Sequence, residues 1–97
     1  MRFMQIIEFQ TDRIDDFFAT FDAVIAKTEG SVPHRALVQK DRNAARTYLL
    51  TVEFETHELA LANSSRPEVG EFAASLFEMC DAPPTFRDLD VLRDEHV

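Results

Sequence analysis

The opening stretch constrains the fold most. Residues 2–10 (Arg-Phe-Met-Gln-Ile-Ile-Glu-Phe-Gln) read as a strand, with Phe3, Gln5, Ile7 and Phe9 on one face and Met4, Ile6 and Glu8 on the other. Both faces are largely apolar. A strand of this kind needs cover on each side, which a sheet with helices on one face obtains only by closing on itself or by stacking on another sheet.

The rest of the chain supplies the helices. Thr11 or Asp12 can cap a helix whose first turn carries Asp15 and Asp16, acids placed where the helix dipole favours them. Ile14, Phe17, Phe18, Phe21, Val24 and Ile25 then recur at three- and four-residue spacing and form a broad apolar stripe, which reads as core rather than as a ligand box. Gly30 suits the left-handed residue after the last turn, and Pro33 closes the connection. A second strand is expected over 34–40, with Ala36 and Val38 opposite Leu37, then a polar hairpin loop over 41–45. The third strand, 46–55, alternates Tyr48, Leu50, Val52 and Phe54 with Thr47, Leu49, Thr51, Glu53 and Glu55. Its first face is core and its second is mixed.

Thr56 caps a second helix that begins Glu58-Leu59-Ala60-Leu61-Ala62 and loses its pattern at Asn63-Ser64-Ser65. Ser65-Arg66-Pro67-Glu68 has the form of a capping box with Ser65 as the cap, and proline is tolerated in a first turn, so the helix restarts there. Val69, Phe72, Ala73, Leu76 and Cys80 keep the register, with Phe77 and Met79 widening the stripe. Asp81-Ala82-Pro83-Pro84 halts it, and a last strand is expected over 85–93, with Leu89 and Val91 on one face and Phe86 and Leu92 on the other. The final four residues read as a frayed tail.

Strand, helix, strand, strand, helix, strand is the ferredoxin-like βαββαβ order of an α+β domain: an antiparallel four-stranded sheet with two helices on one face. Residues 1–97 make one such domain, because 97 residues leave no room for a second core. The helix-free face still carries apolar residues from the first and third strands, a patch larger than soluble monomers tolerate, so a homodimer packed sheet to sheet is expected. Ten Lys and Arg against 18 Asp and Glu give a net charge of −8, a field that repels phosphates; neither nucleic acid nor an anionic membrane is an expected partner. No run of about 18 apolar residues and no secretion signal is visible. The single cysteine, Cys80, cannot form an intramolecular disulfide and falls in an apolar helical register, which points to a buried hydrophobe and a reducing, cytoplasmic setting.

The order of elements, the helix break Ala62-Asn63-Ser64-Ser65-Arg66-Pro67-Glu68-Val69-Gly70-Glu71-Phe72 and the ending Pro83-Pro84-Thr85-Phe86 resemble the dimeric α+β barrel superfamily over nearly the whole chain, in particular the antibiotic biosynthesis monooxygenase-like (ABM-like) proteins. The resemblance implies sheets that pair into a dimeric α+β barrel. It also implies one of several activities: cofactor-independent quinone-forming oxygenation, haem degradation, polyketide cyclisation, muconolactone isomerisation, or none known. Many ABM-like proteins place a histidine at the kink of the second helix, with proline four residues on; the matching positions are Asn63 and Pro67. The histidine is missing. Tryptophan, which lines the pocket in several oxygenases of the superfamily, is absent from the whole chain, so neither the haem-degrading nor the quinone-forming chemistry carries over residue by residue.

The residues that can carry chemistry are therefore few. Asn63, at the helix break, either satisfies freed backbone groups or meets a ligand in the cleft between sheet and helices. His57 follows Glu53 by four across a strand-to-helix boundary; a carboxylate beside an imidazole can orient it as a base, though a surface histidine has the same spacing. Tyr48 and Thr51 face opposite sides of the sheet, so only one can line a given cavity. Arg87 and Arg35 either hold an anionic group or pair with the surplus acids. Three scattered histidines, His34, His57 and His96, lack metal-binding spacing, and Gly30 and Gly70 alone cannot make a phosphate loop, so neither a metal nor a nucleotide cofactor is expected. Two functions stand at this stage. One is a cofactor-independent monooxygenase, cyclase or isomerase acting on an apolar or aromatic small molecule, with Asn63 and His57 in the reaction and Glu53, Thr51, Tyr48 and Arg87 near the ligand. The other is a non-catalytic dimeric module that binds a ligand or partner.

Overall fold

The computed structural model describes residues 2–27 and 35–97. The elements run β1 (Phe3–Gln10), α1 (Ile14–Lys27), β2 (Arg35–Lys40), β3 (Thr47–Phe54), α2 (His57–Ser64), α3 (Pro67–Met79) and β4 (Thr85–Asp90). The strands form one antiparallel sheet in the order β2-β3-β1-β4. This is the expected ferredoxin-like α+β arrangement, with the second helix divided in two. Gly30, Pro33 and His34, the expected helix stop, connection and strand start, lie outside the described residues.

Register explains which side chains face the helices. Phe3, Gln5, Ile7 and Phe9 of β1 stand opposite Phe54, Val52, Leu50 and Tyr48 of β3, and this face meets the helices. Phe17 of α1 and Phe72, Leu76 and Met79 of α3 complete the main core with Ile7, Phe9 and Leu50. Phe3, Phe54 and Ala60 form a satellite cluster under α2. Thr11 is buried at the start of the first crossover: its hydroxyl donates to the Met79 carbonyl at 2.7 Å and accepts from the Arg13 amide at 2.9 Å, tying the end of β1 to the end of α3.

Two local expectations are corrected. The Ser65 hydroxyl donates to the Leu61 carbonyl at 3.1 Å, so Ser65 ends α2 rather than capping α3. The N-cap of α3 is Arg66, extended at φ −76°, ψ 135°, with no side-chain cap bond. Pro67 is the physical reason, since the residue before proline is pushed out of the helical region and helical geometry resumes from the proline itself. The last strand stops at Asp90, three residues early, because its partner β1 begins at Phe3; one further bond, from the Val91 amide to the Arg2 carbonyl at 2.9 Å, closes the ladder.

Among the described residues, no helix covers the opposite face of the sheet. Met4, Ile6, Leu37, Leu49 and Leu89 lie on it by register, together with Thr51, Glu53 and Arg87. Leu89 is 42% exposed.

Candidate functional site

A cleft of about 600 Å³ opens between the sheet and the helices, within the usual range for small-molecule sites. Its position follows from one pair in the register. Above Ile7 and Leu50 the sheet packs against α3, and above Phe3 and Phe54 it packs against α2; between them Gln5 faces Val52, and that gap is the cleft floor. Phe21, Val24 and Ile25 of α1 wall one side, and Val69, Phe72, Ala73 and Leu76 of α3 the other.

Asn63 stands at the edge of this space, in the last turn of α2. Thr56 starts that helix by accepting the Leu59 amide on its hydroxyl at 3.2 Å. At its other end the backbone satisfies itself: the Arg66 amide donates to the Asn63 carbonyl at 3.1 Å, and the Ser65 amide to Leu61 and Ala62. The break therefore has no use for the carboxamide as a cap. Asn63 Oδ1 is buried and accepts no hydrogen bond, and the residue is part of the cleft lining. An unpaired buried acceptor costs about 1–3 kcal/mol, so it is uncommon unless a bound group supplies the missing donor.

The remaining polar lining is Gln5, whose amide donates to Asp88 at 3.2 Å, and Ser64, whose hydroxyl donates back to the Ala60 carbonyl at 3.1 Å. No charged side chain lines the cleft among the described residues. In a chain of net charge −8 this leaves an uncharged, largely apolar chamber.

The other candidate residues lie elsewhere. The exposed ring of His57 packs on Phe3 at 4.9 Å between centroids, over the satellite cluster. Glu53 is on the opposite face of the sheet, 3.7 Å from Arg2, which also pairs with Asp94, so the four-residue spacing does not bring carboxylate and imidazole together. Thr51, also on that face, donates to Gln39 at 3.1 Å. Arg87 projects from β4 on the same side, exposed. Tyr48 stacks on Phe9 at 5.9 Å in the main core. Strand parity and the entry angle of α2 separate these groups from Asn63. Cys80 packs against the core, and burial, reinforced by Asp81, pushes its thiol above the ordinary range. No group of three or more His, Cys, Asp and Glu side chains is placed to hold a metal among the described residues, and none of the described helices is long and apolar enough to cross a membrane.

Gln5, Gly70 and Phe86 line the cleft without having been singled out from the sequence. The available signal was Gln5, a polar residue in the middle of an otherwise apolar strand face.

No family model matches the chain, and no curated protein matches it in sequence. Solved structures match closely in fold. Rv0793 from Mycobacterium tuberculosis superposes with a TM-score of 0.81 at 14% identity, covering 99% of this chain and 100% of that one. A protein from Caulobacter crescentus CB15, provisionally assigned as an antibiotic biosynthesis monooxygenase, gives 0.80 at 10% identity over 95% and 91%. SnoaB from Streptomyces nogalater, a cofactor-independent oxygenase solved as a point variant, gives 0.77 at 14% identity over 96% and 95%. The chain thus has the ferredoxin-like α+β fold of the antibiotic biosynthesis monooxygenase-like structures, from end to end.

Proposed function

We propose that this protein binds an uncharged, predominantly apolar or aromatic small molecule in the cleft beside Asn63, as a homodimer. The observation that carries the reading is Asn63, a residue in the lining of an apolar chamber whose Oδ1 is buried without a partner. A ligand hydroxyl or N–H that meets this oxygen once the carboxamide turns toward the cleft removes the cost of leaving it bare, and the surrounding aliphatic and aromatic walls supply the affinity. Charged ligands fit poorly, because an ion would leave water for a site with no opposite charge. The dimer is supported by the apolar residues on the helix-free face.

An oxygenase, cyclase or isomerase reaction on the same ligand is the second reading, favoured by the likeness to SnoaB. An asparagine does not take a proton at neutral pH, and no titratable side chain lines the cleft among the described residues. In this reading Asn63 orients the ligand, and any proton leaves through solvent or through a group brought by a second copy.

A thermal-shift screen against aromatic polyketides, quinones and haem, repeated on Asn63→Ala, tests the proposal. A ligand present at a hundred times its Kd stabilises by about 2.7 kcal/mol, a rise of roughly 10–20 °C for a domain of this size. The shift should appear with an uncharged ring compound and shrink in the variant. If nothing in the screen stabilises the wild type, the binding reading fails. Oxygen uptake on adding a stabilising compound, reduced in Asn63→Ala, separates the oxygenase from the binding module.

A further inference from the structure

The lining of the cleft runs from exposed residues to buried ones. Ile25 is 51% and Phe86 45% exposed, and Gly70 of α3 is exposed as well, whereas Leu50, Phe72 and Leu76 are all buried. Gly70 is the fourth residue of α3, inside the regular helix. Its place there has no steric reason: a Cβ built on it meets nothing within 4 Å. Glycine in a helix interior is less favourable than alanine, through the backbone freedom lost on folding. The helix carries that penalty at a position that lines the cleft, where a side chain would have open space to fill. Ala73, one turn further on the same wall, is the next smallest side chain possible.

From this we infer that Gly70 is a specificity-determining residue, a size filter whose lack of a side chain leaves the cleft mouth open to broad fused-ring ligands. The inference rests on the cleft being the ligand site. It assigns to Gly70 no contact with the ligand's polar group, which is the province of Asn63; its contribution is the absence of bulk.

The test compares two uncharged fluorescent probes, 2-naphthol with two fused rings and 1-hydroxypyrene with four, titrated against wild type, Gly70→Ala and Gly70→Leu. The wild type is expected to bind both. Gly70→Leu should lose about tenfold or more in affinity for 1-hydroxypyrene while keeping 2-naphthol within about threefold, with Gly70→Ala between. Both variants should melt above the wild type, since alanine and leucine are better helix formers than glycine and the space is open. If Gly70→Leu does not fold, the Gly70→Ala comparison still decides by the same ratio of the two affinities. Wild-type binding with an unchanged ratio in the variants overturns the filter and leaves the cleft reading standing. Failure of the wild type to bind either probe overturns both.

Discussion

At the scale of single residues, Asn63 and Cys80 make opposite statements about burial. Asn63 Oδ1 lies buried without a partner, so removing it should help the ligand-free protein. Asn63→Leu is expected to raise ligand-free stability by about 1 kcal/mol, where most substitutions lower it by a similar amount. Urea unfolding measures this, and a loss of about 1 kcal/mol or more would mean that the oxygen is satisfied in the folded protein. The same variant should bind no ligand through a donor at that position. Cys80 is the bland case: burial holds its thiol protonated, and the adjacent Asp81 adds to the effect. The unfolded chain, with an ordinary thiol pKa of about 8.5, loses the proton first as pH rises. Between that pH and the higher folded value the native state binds more protons than the unfolded one, so stability falls with increasing pH. Below about pH 8.5 the contribution is fully present. Cys80→Ala should flatten this alkaline slope in melts between pH 7 and 10, and wild-type Cys80 should react slowly with a thiol reagent at pH 7.

At the scale of elements, two junctions hold the helices in the positions that frame the cleft. Thr11 joins the end of β1 to the last turn of α3 through two hydrogen bonds, and its side chain is almost fully buried. Thr11→Val keeps the shape but leaves the Met79 carbonyl and the Arg13 amide without partners, an expected loss of roughly 2–3 kcal/mol by urea unfolding. The second junction is the break between α2 and α3. Arg66 occupies the N-cap with suitable backbone angles and no capping side chain; its guanidinium lies 3.6 Å from the half-exposed Glu68 carboxylate. Arg66→Ser would supply a side-chain acceptor for the Glu68 amide, the first N–H of α3, and should stabilise by about 0.5–1 kcal/mol, the surface ion pair being worth little. A loss of stability on this substitution would show that Arg66 has a role in holding the break that these contacts do not describe.

For the whole molecule, the helix-free face decides the assembly. Five apolar side chains from four strands lie on it, around a buried Thr51 and Glu53. Sheet-to-sheet pairing would cover them, so light scattering should give a mass twice that of the 11.1 kDa chain, and the melting temperature should rise with protein concentration. Leu49→Asp, on the outward side of β3, is expected to give a monomer of lower melting temperature, since it sets a charge against the apolar patch. A wild-type mass of one chain at micromolar concentration would remove the dimer.

Strand and helix order, the helix break and the division of each strand into two faces were legible in the sequence, because hydrophobic alternation at periods of two and 3.6 is a local record of what must be buried. The parity of β3 already placed Thr51 and Glu53 away from Tyr48 and Leu50. What the sequence left open was distance between elements. His57 and Glu53 are four residues apart in the chain, yet the turn from β3 into α2 puts the imidazole on Phe3 and leaves the carboxylate beside Arg2 on the other face. Ser65 has the spacing of a cap, but the geometry imposed by Pro67 gives that place to Arg66. The cleft itself depends on where α2 and α3 diverge above the Gln5–Val52 pair, a consequence of packing two helices on one twisted sheet. Local pattern determined the elements and their faces; only the tertiary structure decided that Gln5, far away in the chain, meets Asn63 and Gly70 around one cleft, because that meeting is a matter of how the elements pack.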